Sequence, residues 1–146
     1  MTDHWQPKET STHQDHVIAH VLGATVLGYF VLDEALHILL DIGFVWTIYV
    51  DGQMMLLPQV VAINDLETDV ATRSELNREI EQLGQEGRLA EGLERVSPAP
   101  VECLITEVNF FEDGYRRRLI LFGEEANLVI ETSLETAEIR VLADHQ

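Results

Sequence analysis

Cysteine is almost absent from this chain, and its scarcity limits both disulfide and metal chemistry. Among the 146 residues, Cys103 is the single cysteine. A lone thiol cannot form an intrachain disulfide, and a zinc site built from several cysteines is equally excluded. Because chains without disulfides suit a reducing compartment, we predict a cytoplasmic location.

Basic residues are also scarce. The sequence has 9 Lys and Arg against 26 Asp and Glu, a formal net charge of −17. Repulsion of this size opposes binding to a phosphate backbone or an anionic membrane, so we expect neither nucleic acid nor membrane as a partner. Lys8 is the only lysine, and no glycine-rich phosphate loop accompanies it, which excludes P-loop nucleotide chemistry.

The chain has no long apolar segment and no visible export signal. Its longest stretch without Asp, Glu, Lys or Arg is residues 16–32, and Gly23 and Gly28 interrupt it. A membrane-spanning helix needs about 20 predominantly apolar residues, so this stretch is predicted to be core. The polar residues 1–16 carry Lys8 as their only basic side chain, unlike the start of a secretory signal.

What the sequence does contain predicts one α+β domain over residues 17–146, preceded by a flexible polar arm over residues 1–16. N-terminal β-hairpins are expected from four runs rich in β-branched and aromatic residues: 24–32, 36–42, 44–50 and 53–57. Asp51 and Gly52 favour a type I′ turn, in which both residues have positive φ. Asp33 and Gly43 could instead cap a short helix over the second run, and that alternative stays open.

A central helix is predicted to follow. Residues 72–75 match a capping box, and Leu76, Ile80 and Leu83 then form an apolar stripe at helical spacing. Glycines interrupt the stripe before it resumes toward Val96, so the segment is either one helix or two short ones.

The last third of the chain predicts a four-stranded antiparallel meander over residues 101–111, 115–122, 128–133 and 137–142. The predicted turns place Ile120, Ile130 and Val141 on one face. They place Leu121, Val129 and Leu142 on the other. Because both faces are apolar, both must be covered, and a second copy of the chain could cover one of them.

Three histidines near the N-terminus are the candidate metal ligands. His13, His16 and His20 would share one face of a helix, where neutral imidazoles on adjacent turns can coordinate Zn²⁺ or Ni²⁺. The same residue type is common in polar tails, and the motif lacks the glutamate of a zinc hydrolase helix. The sequence therefore leaves a divalent-metal site as one of two interpretations.

An arginine cluster is the candidate anion site. On a strand, Arg116 and Arg118 point to one face and Arg117 to the other, and guanidinium groups bind carboxylate or phosphate in a bidentate manner. The competing interpretation uses these charges in cross-strand pairs. The predicted register puts Glu131 opposite Arg140 and diagonal to Arg117.

No residue is predicted to be catalytic, and no cofactor is predicted. Cys103 as nucleophile, His37 as base and either Asp33 or Asp41 as the orienting carboxylate could make up a triad, but no local motif brings them together. The sequence thus favours a non-enzymatic interaction or regulatory module that forms a homodimer and could also bind an unidentified protein partner. A small-ligand or divalent-metal-binding protein using the histidine or arginine cluster is the alternative.

Overall fold

The computed structural model describes residues 4–145, which form two five-stranded antiparallel sheets and three α-helices. In chain order the elements are β1 (Gln6–Pro7), α1 (Thr12–Val21), β2 (Val26–Leu32), β3 (Ala35–Leu40), β4 (Phe44–Tyr49), β5 (Met54–Pro58), α2 (Gln59–Asn64), α3 (Val70–Glu86), β6 (Ser97–Pro98), β7 (Glu107–Asp113), β8 (Arg116–Phe122), β9 (Ala126–Ser133) and β10 (Ile139–His145). The predicted α+β class and C-terminal meander are confirmed. Among the described residues, no helix is both long enough and apolar enough to span a bilayer.

The N-terminal sheet, in the order β5-β4-β3-β2-β6, is the middle layer of the fold. On one face Ile38 and Trp46, which are cross-strand partners, join a buried cluster with residues of the C-terminal sheet. On the other face Phe30 and Leu39 join a cluster with α2 and α3. Every residue of β3 is buried, as expected for a strand covered on both faces. The strand interpretation of residues 36–42 is confirmed over β3, and the helix alternative is wrong.

The C-terminal sheet has the order β1-β7-β8-β9-β10. Its register differs by one residue from the predicted one between β8 and β9, because Ile120 lies opposite Val129 and not opposite Ile130. The Asn127 side chain accepts a hydrogen bond from the Gly123 N–H at 3.3 Å, which brings Asn127 into β9 and shortens the connecting loop. The pairing of Val129 with Leu142 between β9 and β10 is as predicted.

The β4–β5 turn brings the two sheets into close contact. The Gly52 N–H donates to the Tyr49 carbonyl at 2.8 Å, and of the two residues predicted to have positive φ only Gly52, at 90°, does so. The type I′ prediction is therefore wrong, and the loop is a longer one with glycine in its left-handed position. Asp51 instead accepts a hydrogen bond from the Gln53 N–H at 2.9 Å. The Phe110 ring of β7 lies against Gly52.

The N-terminal segment is part of the packed domain from residue 4 onward, while residues 1–3 of the predicted arm lie outside the described residues. β1 pairs with β7, and α1 begins with a capping box between Ser11 and Gln14. The Gln14 amide is buried and donates to the Gly52 carbonyl at 2.9 Å. The domain boundary predicted at residue 17 therefore falls inside α1.

Helix α3 confirms the predicted stripe but not its predicted limits. Leu76, Ile80 and Leu83 are all buried. The helix begins at Val70 because the Asp69 carboxylate accepts a hydrogen bond from the Thr72 N–H at 2.6 Å. The capping box predicted over residues 72–75 is therefore wrong, since Asp69 already occupies the cap. The helix ends at Glu86, and the segment toward Val96 is largely irregular.

A buried glutamate holds that irregular segment in place. The Glu79 side chain is fully buried, and its Oε1 accepts hydrogen bonds from three consecutive backbone N–H groups, those of Glu94 at 2.8 Å, Arg95 at 3.0 Å and Val96 at 3.2 Å. These backbone donors give the buried carboxylate the hydrogen bonds that water would give it at the surface. Val96 is thus held in the core by a loop and not by a second helix, whereas Leu89 is 87% exposed.

Candidate functional site

Within the described residues, the C-terminal sheet is fully buried on one face and partly exposed on the other. Leu119 and Ile130 are cross-strand partners on the inner face, which packs against the N-terminal sheet. On the opposite side, which we call the outer face, Ile120, Val129 and Leu142 lie in register across β8, β9 and β10. Ile120 and Val129 are half-buried, and Leu142 is 42% exposed. We call these three residues the apolar strip.

A row of alternating charges lies beside the apolar strip on the outer face. Arg118, Glu131 and Arg140 are direct neighbours across β8, β9 and β10. Arg118 Nε donates to Glu131 Oε1 at 3.0 Å, and Arg140 Nη2 donates to Glu131 Oε2 at 2.8 Å. Burial raises the pKa of Glu131, but the hydrogen bonds from both arginines outweigh it and hold this pKa below its ordinary value. Charge alternation therefore fixes the positions of all three side chains.

The Trp5 ring contacts both of the arginines predicted to bind an anion, and sequence reasoning missed this contact. The guanidinium carbon of Arg116 is 4.7 Å from the Trp5 ring centroid, and that of Arg118 is 4.2 Å from it. Arg116 also donates to Asp113 Oδ2 at 2.8 Å. Cation–π contact of this kind joins the N-terminal segment to β8. Pairing of β1 with β7 is what brings Trp5 to this face.

The structure places the predicted anion-binding residues on one face, as alternation along β8 requires. A pocket of about 300 Å³ lies beside Arg116 and Arg140, but Glu131 and Glu138 line it as well. Arg118 lies directly opposite Glu131, so the predicted diagonal pairing of Glu131 with Arg117 is wrong by the same one-residue register difference. Both predicted arginines are engaged by carboxylates and by Trp5, so an anion would have to compete with them.

The candidate metal ligands His13, His16 and His20 are exposed along α1, at the spacing the sequence predicts. His13 Nε2 is 3.1 Å from the Met54 carbonyl oxygen at the edge of β5, and His20 Nδ1 is 2.8 Å from the His16 carbonyl oxygen. Among the side chains that the structure describes, no three His, Cys, Asp or Glu are grouped so that they could hold a metal ion.

Cys103 and His37, the nucleophile and base of a possible catalytic triad, lie in different layers of the fold. Cys103 belongs to the cluster between the two sheets, where its thiol lies 3.6 Å from the Leu121 carbonyl oxygen and burial raises its pKa. His37 lies on the opposite face of the N-terminal sheet, stacked on Phe30 with a centroid distance of 4.7 Å. The N-terminal sheet therefore separates the thiol from the imidazole.

His37 predicts a specific pH dependence of stability. The side chain is buried, its Nδ1 is 3.0 Å from Thr47 Oγ1, and burial lowers its pKa in the folded state. The unfolded chain therefore takes up the proton first. The free energy of unfolding should fall as pH drops below about 6.5, by at most about 1.4 kcal/mol per pH unit.

Chemical denaturation of wild type and H37Q between pH 7.5 and 5.5 measures this effect, and the variant should show the shallower slope. Folding lowers the pKa of carboxylates such as Glu131, and the stability this contributes is lost only as pH falls below about their ordinary value of 4.5. That loss lies outside the measured pH range. Equal slopes in the two proteins would contradict the role assigned to His37.

The outer face combines an apolar strip with ordered charges. Cys103 and His37 both lie away from it, on opposite sides of the N-terminal sheet. The chain matches no protein-family model, and it matches no curated protein and no solved structure.

Proposed function

We propose that this chain is a non-enzymatic protein-interaction module that self-associates through its C-terminal sheet. The observation that carries the proposal is the unequal covering of the two sheets. The N-terminal sheet has the C-terminal sheet on one face and α2 and α3 on the other, whereas residues 4–145 leave the outer face, with the apolar strip, partly exposed. Contiguous apolar surface with a polar border is typical of interaction sites, and a second copy is the commonest partner in soluble assemblies.

The positions of the reactive side chains support a non-enzymatic role. Cys103 is buried, and its raised pKa disfavours the reactive thiolate. The N-terminal sheet lies between its thiol and the His37 imidazole. A single buried thiol also suits a reducing compartment such as the cytoplasm.

Sedimentation velocity of the full chain over the micromolar range tests the proposal. We expect the mass to rise with concentration from 16.5 kDa toward twice that value. The high net charge of −17 opposes association, so the measurement is made at physiological ionic strength, where this long-range repulsion is screened. A monomer at every concentration would overturn the proposal.

Ligand binding by the histidine or arginine cluster is the competing function. Its favouring observation is that His13, His16 and His20 are all exposed on one helix. Replacing the three histidines together with glutamine separates the two functions. Unchanged self-association together with no loss of Zn²⁺ affinity supports the interaction module, whereas a large loss of Zn²⁺ affinity supports the metal-binding protein.

A further inference from the structure

The four sheet edges differ in how they are protected. β1 and β6 are two residues long and contain Pro7 and Pro98, respectively. The edge of β5 is covered by α1, through the contacts of His13 with the Met54 carbonyl and of Gln14 with the Gly52 carbonyl. β10 is seven residues long, contains no proline, lysine or glycine, and pairs with β9 without a bulge. A long edge strand without proline or a bulge can act as a template for another strand.

We propose that β10 pairs antiparallel with β10 of a second copy, about a two-fold axis at Leu142, to give one continuous ten-stranded sheet. This inference rests on the proposed self-association and names its interface. It also extends the apolar strip across the axis, since Leu142 of one copy lies opposite Leu142 of the other.

The backbone of β10 presents suitable groups to the partner. The Ser133 N–H donates to the Glu138 carbonyl at 3.1 Å, so even-numbered residues of β10 direct their backbone groups toward β9. The N–H and C=O groups of Val141 and Ala143 therefore point to the free edge. With the axis at Leu142, Val141 of one copy faces Ala143 of the other, and the two residues exchange both backbone hydrogen bonds.

Charge complementarity selects this register. The axis at Leu142 places Arg140 opposite Asp144 of the second copy, and does so twice because the contact is symmetric. The row Arg118, Glu131 and Arg140 contains two positive charges and one negative charge, so Asp144 of the second copy continues its alternation. Glu138 lies 3.8 Å from Arg140, too far for a hydrogen bond, and leaves the guanidinium partly exposed.

Other two-fold registers lose this match. An axis at Arg140 would place two guanidinium groups opposite each other, and an axis at Val141 would place Arg140 opposite Leu142. Only the axis at Leu142 also pairs all seven residues of Ile139–His145.

Two charge reversals and their mixture test the interface by sedimentation. In R140E each copy faces Asp144 with a glutamate, and in D144R each copy faces Arg140 with an arginine, so the dissociation constant of each variant alone should rise at least about tenfold. In an equimolar mixture both cross-strand pairs again join opposite charges, and a heterodimer should form with affinity close to that of wild type. E81R, on the exposed face of α3, is the control for changed net charge and should remain dimeric.

A143P tests the backbone bonds, because it removes an N–H that points to the free edge and not to β9. We expect a folded monomer, checked by circular dichroism. Two results would overturn the β10 interface while leaving self-association intact. In the first, R140E, D144R and A143P all remain dimeric like the wild type. In the second, the mixture of R140E and D144R gives no heterodimer. A wild-type monomer would overturn the proposed function itself.

Discussion

Replacing Glu79 with alanine should lower the free energy of unfolding by about 3 kcal/mol or more. The Glu79 carboxylate is fully buried and accepts the N–H groups of Glu94, Arg95 and Val96. Alanine removes the acceptor from three backbone donors, of which the Val96 N–H is buried and those of Glu94 and Arg95 are partly buried. Hydrogen bonds to a charged acceptor contribute about 1.5–3 kcal/mol each before water partly replaces them. Urea denaturation measures the loss.

Two matched variants show whether the loss arises from these hydrogen bonds. E79Q keeps an acceptor oxygen in nearly the same place, so it should cost less than E79A. E81A, on the exposed side of the same helix, should change stability by no more than about 0.5 kcal/mol. If E79A were as stable as E81A, the loop over residues 94–96 would not depend on Glu79.

Replacing Gly52 with alanine should cost about 2–5 kcal/mol, for two separable reasons. Gly52 has a φ of 90°, which disfavours any residue with a Cβ. That Cβ would also lie 2.5 Å from Cζ of Phe110, so the ring between the two sheets would have to move. Thermal and urea denaturation measure the total.

Gly114 supplies the control for backbone conformation alone. Its φ is 61°, and a Cβ added there would meet no atom within 4 Å, so G114A should cost only about 1–2 kcal/mol. The difference between G52A and G114A reports the contact with Phe110. In a double-mutant cycle, F110L should remove part of the G52A penalty. Equal losses in G52A and G114A would contradict close contact between the sheets at this turn.

Periodicity predicted most of the fold because it reports burial directly. Leu76, Ile80 and Leu83 are spaced for a helix that buries one face, and all three are buried. A capping box between Ser11 and Gln14 was present in the sequence and could have identified α1, but the polar composition around it favoured a flexible arm. The cap of α3 was missed because Thr72 and Glu75 match a capping box three residues after Asp69, the residue that caps the helix.

The candidate site was harder to predict, because it depends on register. A shift of one residue moves a strand's side chains to the other face, and the Asn127 hydrogen bond to Gly123 produces that shift between β8 and β9. The pairing of Arg118 with Glu131 follows from it. The contact of Trp5 with both arginines depends on the pairing of β1 with β7, which joins residues more than a hundred positions apart. Local patterns carry no signal for such a contact.

Hydrogen exchange at several protein concentrations tests self-association through the C-terminal sheet most directly. Amides of Val141 and Ala143 point to the free edge of β10 in the monomer, so they should exchange more slowly as concentration rises and dimers form. Amides within α3 should show no dependence on concentration. If exchange within residues 139–145 stayed constant while the sedimenting mass doubled, the copies would meet elsewhere. If neither the mass nor any amide responded to concentration, self-association itself would be contradicted.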